Sequence, residues 1–190
     1  MRAFIAIELP LEIKDALLRI QDKLKARLPE ISWVKPLNLH LTLRFLGEIS
    51  PEQLSEIKQI ITEITKTTSG FKIKLETLGV FPNLHAARII WIGANQPPLE
   101  LKQLAEQLET RLVESGIPQE QRSFCAHITI SRIKSSLKSL SLEKELEKIK
   151  NDFASANWEF DCGGITLFES TLGPRGATYT ALKKASFRIT

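Results

Sequence analysis

The sequence is poor in cysteine, histidine, methionine and tyrosine. Its 190 residues include 2 Cys, 3 His, 1 Met and 1 Tyr. Cys125 and Cys162 are too few for a disulfide framework or a four-cysteine zinc site, which excludes the small disulfide-rich and zinc-ribbon classes. With only three histidines in the chain, the position of each one carries information.

Long apolar runs are also missing. No stretch approaches the roughly 20 apolar residues of a membrane helix, and Glu8 and Pro10 interrupt the apolar segment after Met1 before it reaches signal-peptide length. The 26 Lys+Arg and 22 Asp+Glu give a formal charge of +4, which permits a polyanionic partner without requiring one. We expect a cytoplasmic monomer with no membrane contact and no obligate protein partner.

Apolar periodicity predicts alternating strands and helices. A strand over 3–9 leads through Pro10 into an amphipathic helix. Ser50, Pro51 and Gln53 are typical of a helix start, with a Ser cap, Pro at the first helical position and Gln three residues after the cap. Further strands are predicted over 71–78, 88–94 and 123–131, helices after Pro98 and around 140–151, and final strands with turns at Gly163-Gly164 and Gly173–Gly176.

The two halves of the chain repeat these elements in the same order. Residues 40–43 read HLTL and residues 127–130 read HITI; Pro10 precedes His40 by 30 residues, and Pro98 precedes His127 by 29. The duplication predicts one α+β domain over 1–190, built of two similar lobes related by a pseudo-two-fold axis. Each lobe is expected to be a mainly antiparallel sheet with outer helices, and the active-site groove is expected between the lobes.

The two H-x-T-x tetrads are the candidate catalytic residues. Side chains i and i+2 of a strand share a face, so His40 pairs with Thr42 and His127 with Thr129. Two imidazoles across a substrate can act as general base and general acid, and threonine hydroxyls can donate hydrogen bonds to a phosphate. A cyclic phosphodiester suits such a site without a metal or other cofactor, but the pattern leaves open which histidine is the acid.

An arginine follows each tetrad and is a candidate phosphate ligand. By strand parity Arg44 shares the face of Thr42, whereas Arg132, five residues after His127, faces the groove only if the strand bends or ends there. Three aromatic residues in predicted strands are candidates for base stacking or for the core: Trp33, Phe45 and Trp91.

Three other interpretations remain open. His40, His127 and His85 would just suffice for a catalytic zinc site, although no carboxylate stands beside either tetrad. Cys125 shares strand parity with His127 and is a candidate nucleophile. A module that binds RNA ends without catalysis would also use a mildly basic groove, but binding alone gives no reason for paired imidazoles.

Four segments together resemble a known family: NLHLTLRFLG, HITISR, LGVFPN followed by RIIWIG, and LFESTLGPRGATYTAL. They are similar to the RNA 2′,3′-cyclic phosphodiesterases, also called 2′-5′ RNA ligases or LigT-like proteins, of the two-histidine phosphoesterase superfamily. The match covers nearly the whole chain. A single H-x-T-x is a weak pattern, but two copies inside these longer segments are specific.

The resemblance implies a two-lobed α+β fold. It also implies an enzyme that opens the 2′,3′-cyclic phosphate at the end of an RNA, tRNA fragments included, to a 2′-phosphate. Some members also join tRNA halves through a 2′-5′ linkage, and a small cyclic nucleotide is an alternative substrate. The family assigns His40 as proton donor and His127 as proton acceptor, with Thr42, Thr129 and Arg132 at the phosphate. Many relatives have Pro before the second histidine, where this chain has Ala126.

Overall fold

The computed structural model describes residues 1–29, 31–133, 139–154, 158–174 and 176–188. Among the helices that it describes, none is long and apolar enough to cross a lipid bilayer. The strands are Arg2–Glu8 (β1), Ser32–Trp33 (β2), His40–Glu48 (β3), Phe71–Lys74 (β4), Thr77–Phe81 (β5), Ile89–Gly93 (β6), His127–Arg132 (β7), Glu159–Cys162 (β8), Gly164–Gly173 (β9) and Gly176–Ser186 (β10), and the α-helices are Leu11–Lys25 (α1), Pro51–Thr67 (α2), Leu99–Glu114 (α3) and Ser139–Ala154 (α4).

The strands form an eight-stranded and a two-stranded sheet. The large sheet has the order β10-β9-β1-β3-β7-β6-β5, with β2 also paired to β7, and the small sheet pairs β4 with β8. Every strand pair is antiparallel. The mixed helices and antiparallel sheets confirm the α+β fold class.

The repeated halves exchange their last strands. The first half runs β1-α1-β3-α2-β4-β5 and the second runs β6-α3-β7-α4-β8-β9. However, β5 of the first half pairs with β6, β9 of the second half pairs with β1, and β4 pairs with β8. The helices cross as well, because α1 packs on β7 and α3 on β3. The two halves are therefore interlocked across the pseudo-two-fold axis.

The helices form where the apolar stripes predict them. The capping box at the start of α2 is present, since Ser50 Oγ accepts from the Gln53 amide and Gln53 Oε1 accepts from the Ser50 amide. Each fully buried leucine or isoleucine contributes about 1.5–3 kcal/mol. The buried stripes of α1 and α3 include the apolar residues Ile13, Leu17, Ile20 and Leu24, and Leu101, Leu104, Leu108 and Leu112.

Several strand boundaries differ from the predicted ones. The segment 71–78 is divided at Leu75-Glu76 into β4 and β5, which join different sheets, because the Leu75 amide donates to Trp158 O and the Glu76 amide to Gly93 O. The predicted strand over 123–131 begins only at His127. Within the predicted turn at 173–176, Arg175 lies outside the described residues.

Gly93 lets β6 approach the residue before the second histidine. It pairs with His127, and a Cβ on Gly93 would lie 2.2 Å from the backbone oxygen of Ala126. This backbone oxygen also accepts from the Ala94 amide at 3.0 Å, so it cannot retreat as a flexible side chain can. At Gly163, in contrast, a Cβ would meet no atom within 4 Å, so this glycine is the matched control.

We expect Gly93→Ala to lower the free energy of unfolding by about 3 kcal/mol through this overpacking. Urea unfolding should show the loss in Gly93→Ala and a change within about 0.5 kcal/mol in Gly163→Ala. Equal stability of the two variants would contradict the close approach of β6 and β7.

Candidate active site

The two central strands place both tetrads on one face of the sheet. Leu41 pairs directly with Ile128, and both side chains are fully buried on the core side. Because neighbouring residues of a strand point to opposite faces, the histidines and threonines of both tetrads lie together on the other side. We call this side the histidine face; it carries His40, Thr42, His127 and Thr129.

Each histidine is oriented by the same hydrogen bond. His40 Nδ1 lies 2.7 Å from Asn38 O, and His127 Nδ1 lies 2.9 Å from Cys125 O. A carbonyl only accepts, so Nδ1 carries the hydrogen in both rings. In the neutral ring Nε2 is then an acceptor, and in the charged ring it is a donor. The same arrangement therefore serves a general base and a general acid.

Aromatic rings surround His40. Its ring centroid lies 4.8 Å from that of Phe4, 5.3 Å from Tyr179 and 6.4 Å from Phe168. Burial among these rings lowers the pKa of His40 to about 4, and the positive charge of Arg132 acts in the same direction. His40 is therefore neutral in the free protein at pH 7.

His127 lies in a more open setting. The ring of Phe81 meets it edge-on at 5.1 Å and that of Trp91 at 6.1 Å, and the two aromatic rings stack on each other. Burial lowers the pKa of His127 as well, with a smaller contribution from the charge of Arg122. Both imidazoles can thus accept a proton at neutral pH, and either one can serve as an acid once an anion has raised its pKa.

The threonines leave their hydroxyls available. Thr42 and Thr129 are half-buried, and within the described parts of the chain neither hydroxyl has a hydrogen-bond partner. The antiparallel register that pairs Leu41 with Ile128 brings Thr129 level with His40 and Thr42 level with His127. Each histidine is therefore predicted to work beside the threonine of the other tetrad.

Arg44 does not lie on the histidine face, so the prediction from strand parity is wrong. Thr42 pairs with Ala6 but Arg44 pairs with the next residue, Ile5. Leu43 is thus an extra residue in β3, and such a β-bulge reverses the alternation. Arg44 is 8% exposed and points away from the histidine face.

The guanidinium of Arg44 is fully engaged on the core side. Its Nε donates to Glu109 Oε2 on α3, and its terminal nitrogens donate to the carbonyls of Phe45 and Pro118. These partners account for its burial. Arg44 fastens β3 to α3 and to the loop before β7.

The corresponding bulge in β7 turns Arg132 towards the site. Thr129 pairs with Trp91 and Ser131 with Ile90, so Ile130 is the extra residue. Ser131 points inward, and Arg132 returns to the histidine face, where its charge acts on His40. The bend on which the sequence prediction for Arg132 depended is therefore present.

The three candidate stacking residues occupy different settings. Trp33 is half-buried in β2 and packs against the core. Trp91 lies over Gly79, where a Cβ would be 2.4 Å from the indole ring, and forms a wall beside His127. Phe45 is 49% exposed and, after the bulge, shares the histidine face with Phe4, whose ring is 6.1 Å away.

The metal and thiol alternatives find no supporting geometry in the described residues. His85 is exposed on the turn Leu84–Ala86, and no group of three or more His, Cys, Asp or Glu side chains in the described part of the chain could hold a metal ion. Burial raises the pKa of the Cys125 thiol, which disfavours the thiolate that a nucleophile requires. The contribution of Cys125 to the site is its carbonyl oxygen.

Several supporting residues were not predicted from the sequence. Phe4, Phe168 and Tyr179 surround His40 although they come from three other strands. The repeat does contain a signal for two more, because Gln21 and Glu109 each lie ten residues after the first residue of their helix. The pairing of β1, β9 and β10 was needed to bring the aromatic residues together.

The family comparisons agree with this geometry. The family model described as LigT like Phosphoesterase matches twice in succession, over residues 7–91 and 92–179. The chain belongs to the LigT-like phosphoesterase family. The two matches correspond to the two halves of the chain, one tetrad in each, and confirm the resemblance inferred from the sequence.

Individual LigT-like relatives match over their full length. The chain is 36% identical to the RNA 2′,3′-cyclic phosphodiesterase of Methanocaldococcus jannaschii, over 97% of this chain and 99% of that protein. The crystal structure of TT0787 of Thermus thermophilus superposes with a TM-score of 0.83 at 29% identity, covering 99% and 98% of the two chains. The crystal structure of Escherichia coli LigT complexed with 3′-AMP superposes with a TM-score of 0.77 at 29% identity, covering 98% of this chain and 97% of that chain.

The two arginines should respond differently to removal of their charge. Arg44→Met leaves Glu109 and two carbonyls without their donor and should cost about 3 kcal/mol of unfolding free energy, whereas exposed Arg132→Met should cost less than about 0.5 kcal/mol. Inorganic phosphate should bind normally to folded Arg44→Met and more weakly to Arg132→Met. A stable Arg44→Met that has lost phosphate binding would contradict the bulge assignment.

Burial of His40 makes stability depend on pH. Unfolded histidine has a pKa of about 6.5, so between about pH 6.5 and 4 the unfolded chain binds more protons and the folded state loses stability as the pH falls. Between pH 7.5 and 4.5 the decrease in the free energy of unfolding should be about 2 kcal/mol smaller in His40→Gln than in the wild type. Urea titrations of His40→Gln and of the exposed-site control His85→Gln test this, and equal pH dependence of the two variants would contradict it.

Proposed function

We propose that this protein hydrolyses the 2′,3′-cyclic phosphate at the 3′ end of an RNA to a 2′-phosphate without a metal ion. The observation that carries the proposal is the matched pair of imidazoles on the histidine face, each with Nδ1 held by a carbonyl and Nε2 left for a ligand. The activity named for the Methanocaldococcus relative supports the reaction class.

The roles follow the family, with His127 as base and His40 as acid. His127 Nε2 takes a proton from water, and the oxygen attacks phosphorus while the bond to the 3′-oxygen breaks. His40 Nε2 gives its proton to that 3′-oxygen, which leaves a 3′-hydroxyl and a 2′-phosphate. The wider access of His127 suits the attack of water, and the two rings return to their starting states by exchanging protons with solvent.

His40 can donate a proton only in its protonated form, which the bound substrate has to favour. His40 is neutral in the free protein at pH 7 because its pKa is lowered to about 4, so the bound phosphate anion must raise this pKa for His40 to donate. Thr42, Thr129 and Arg132 would hold the phosphate oxygens. The cations that lower the pKa of His40 also make its charged form a stronger acid.

The same site can support ligation. If the 5′-hydroxyl of a second RNA takes the place of water, His127 accepts its proton and the 3′-oxygen still leaves on the His40 side. The product is then a 2′-5′ phosphodiester, as expected for joined tRNA halves. A small cyclic nucleotide is the alternative substrate for the hydrolytic reaction.

The test uses an oligonucleotide that ends in a 2′,3′-cyclic phosphate, incubated with the protein in EDTA. A 2′-phosphate product is expected, and His40→Ala and His127→Ala should each lower kcat by at least about 100-fold. His85→Ala is the control and should keep wild-type turnover. Comparison of kcat/KM with that for free 2′,3′-cyclic nucleotides separates an RNA substrate from a small one.

Three results would contradict the proposal. A 3′-phosphate product would reverse the regiochemistry, and turnover within twofold of wild type in either histidine variant would remove the acid and base assignment. Binding of the RNA end by wild type without any turnover would instead favour a non-catalytic binding module.

A further inference from the structure

A hydrogen bond joins the turn before β3 to the outermost strand of the large sheet. Asn38 Nδ2 donates to Ala177 O at 2.8 Å, across 139 positions of sequence. The carbonyl oxygen of the same asparagine accepts from Nδ1 of His40. Asn38 therefore contacts the proposed acid with its backbone and the hairpin of β9 and β10 with its side chain.

This bond requires the hairpin to fold over the histidine face. Thr42 and Thr166 are level with each other, because both pair with Ala6 of β1. Asn38 lies four residues before Thr42, whereas Ala177 pairs with a residue six positions after Thr166. Since β3 and β9 run in the same direction, Asn38 and Ala177 would be roughly 30 Å apart in a flat sheet. Their contact therefore means that the hairpin curls back across the sheet.

The curled hairpin brings aromatic rings to His40. Tyr179 of β10 meets the His40 ring edge-on at 5.3 Å and the Phe4 ring edge-on at 4.9 Å. Phe168 of β9 stacks on Phe4 at 5.3 Å. Phe4 lies on the histidine face and is nevertheless only 3% exposed, because the hairpin covers it. Two of the three rings around His40 thus come from the hairpin.

The second half holds its histidine differently. Cys125 takes the place of Asn38, two residues before His127, and its carbonyl also accepts from the histidine ring. Its side chain, however, is a thiol in place of an amide donor. Among the described strands, β10 follows the end of the second half and has no counterpart in the first. Asn38 is therefore joined to the strand by which the surroundings of the two histidines differ.

We propose that Asn38 is a positioning residue for the reaction, which fastens the β9–β10 hairpin over His40 and so holds Tyr179 against the imidazole. The inference rests on the proposed function, in which His40 is the acid. An acid has to be aimed at the leaving 3′-oxygen, and misplacement by about 1 Å can cost about 100-fold in rate. The Asn38 carbonyl fixes one ring nitrogen, and the Asn38 side chain fixes the wall beside the ring.

The same contact affects how readily His40 takes up a proton. Burial is the main cause that lowers its pKa to about 4, and the hairpin supplies part of that burial. Removal of the Asn38 side chain alters no charge near His40, so a change in this pKa reports the position of the hairpin. The charged and titratable groups around His40 are His127 and Arg132 of β7, Lys14 of α1, Glu8 of β1 and Tyr179 of β10.

The first test is an NMR titration of the three histidine rings, with the His40 signal identified by its loss in His40→Gln. Asn38→Ala should raise the pKa of His40 from about 4 to at least about 5, because water reaches the ring when the hairpin is released. The pKa of His127 should change by less than about 0.5. Asn95→Ala removes an exposed asparagine between β6 and α3 and should change neither value.

A double-mutant cycle tests whether Asn38 acts through the hairpin. Tyr179→Ala removes the ring but leaves the bond from Asn38 to Ala177, and it should raise the pKa of His40 by itself. If Asn38 acts by holding this ring, the double variant should show clearly less than the sum of the two single changes. Full additivity would show that Asn38 acts on His40 independently of the hairpin and would contradict the proposal.

The kinetic test uses an oligonucleotide that ends in a 2′,3′-cyclic phosphate. Asn38→Ala should lower the maximal kcat about tenfold and leave KM within about twofold, since a poorly aimed acid weakens the transition state more than substrate binding. The high-pH limb of the kcat profile should move to higher pH, because the pKa of the acid rises. Asn38→Ser keeps a shorter donor and should show a smaller loss, and it replaces Asn38→Ala if that variant does not fold.

The titration separates this inference from the proposed function, because it needs no turnover. A raised His40 pKa in Asn38→Ala, in a protein that cleaves no cyclic phosphate, would support the hold of Asn38 on His40 and sink the proposed activity. An unchanged His40 pKa in folded Asn38→Ala would overturn the inference, even if urea unfolding showed a loss of stability, because the role of Asn38 would then be purely structural. Wild-type kcat and pH profile in Asn38→Ala of an active enzyme would overturn it as well.

Discussion

A β-bulge in each central strand, held by the helix of the opposite half, is the constraint on which the site depends. In β7 the bulged residue is Ile130, and its carbonyl accepts from Nε2 of the buried Gln21 on α1 at 2.8 Å. In β3 the bulge lies at Leu43, and Glu109 on α3 holds the adjacent Arg44. Gln21 in α1 and Glu109 in α3 occupy equivalent positions, so the two halves hold their bulges with equivalent helix residues.

The bulges couple catalysis to the interlocking of the halves. Each bulge keeps a histidine and a threonine on the histidine face. The residue four positions after the histidine then points towards the core: Arg44 in the first half and Ser131 in the second. The residue five positions after the histidine then faces outward, as Phe45 or Arg132. Since the fastening helix comes from the other half and the outer strands are exchanged, neither half could assemble its part of the site alone.

The sequence predicts features that are determined within a single segment of chain. It does not predict features that are determined by how the strands pair. The H-x-T-x alternation, the apolar stripes of α1 and α3 and the Ser50 capping box all follow from short-range geometry. Arg44 was assigned to the wrong face because an extra residue such as Leu43 is visible only against the partner strand. The exchange of β5 and β9, and the aromatic rings around His40, likewise required the sheet order.

The pseudo-symmetric site carries out an asymmetric reaction, so the positions at which the halves differ must assign the roles. Both imidazoles are anchored in the same way, but three aromatic rings, Arg132 and the carboxylate of Glu8 lie on the His40 side. In the proposed mechanism, burial keeps His40 uncharged until a phosphate anion binds, and only then does His40 become the acid. Substrate binding would thereby supply the protonation state that the proposed reaction needs.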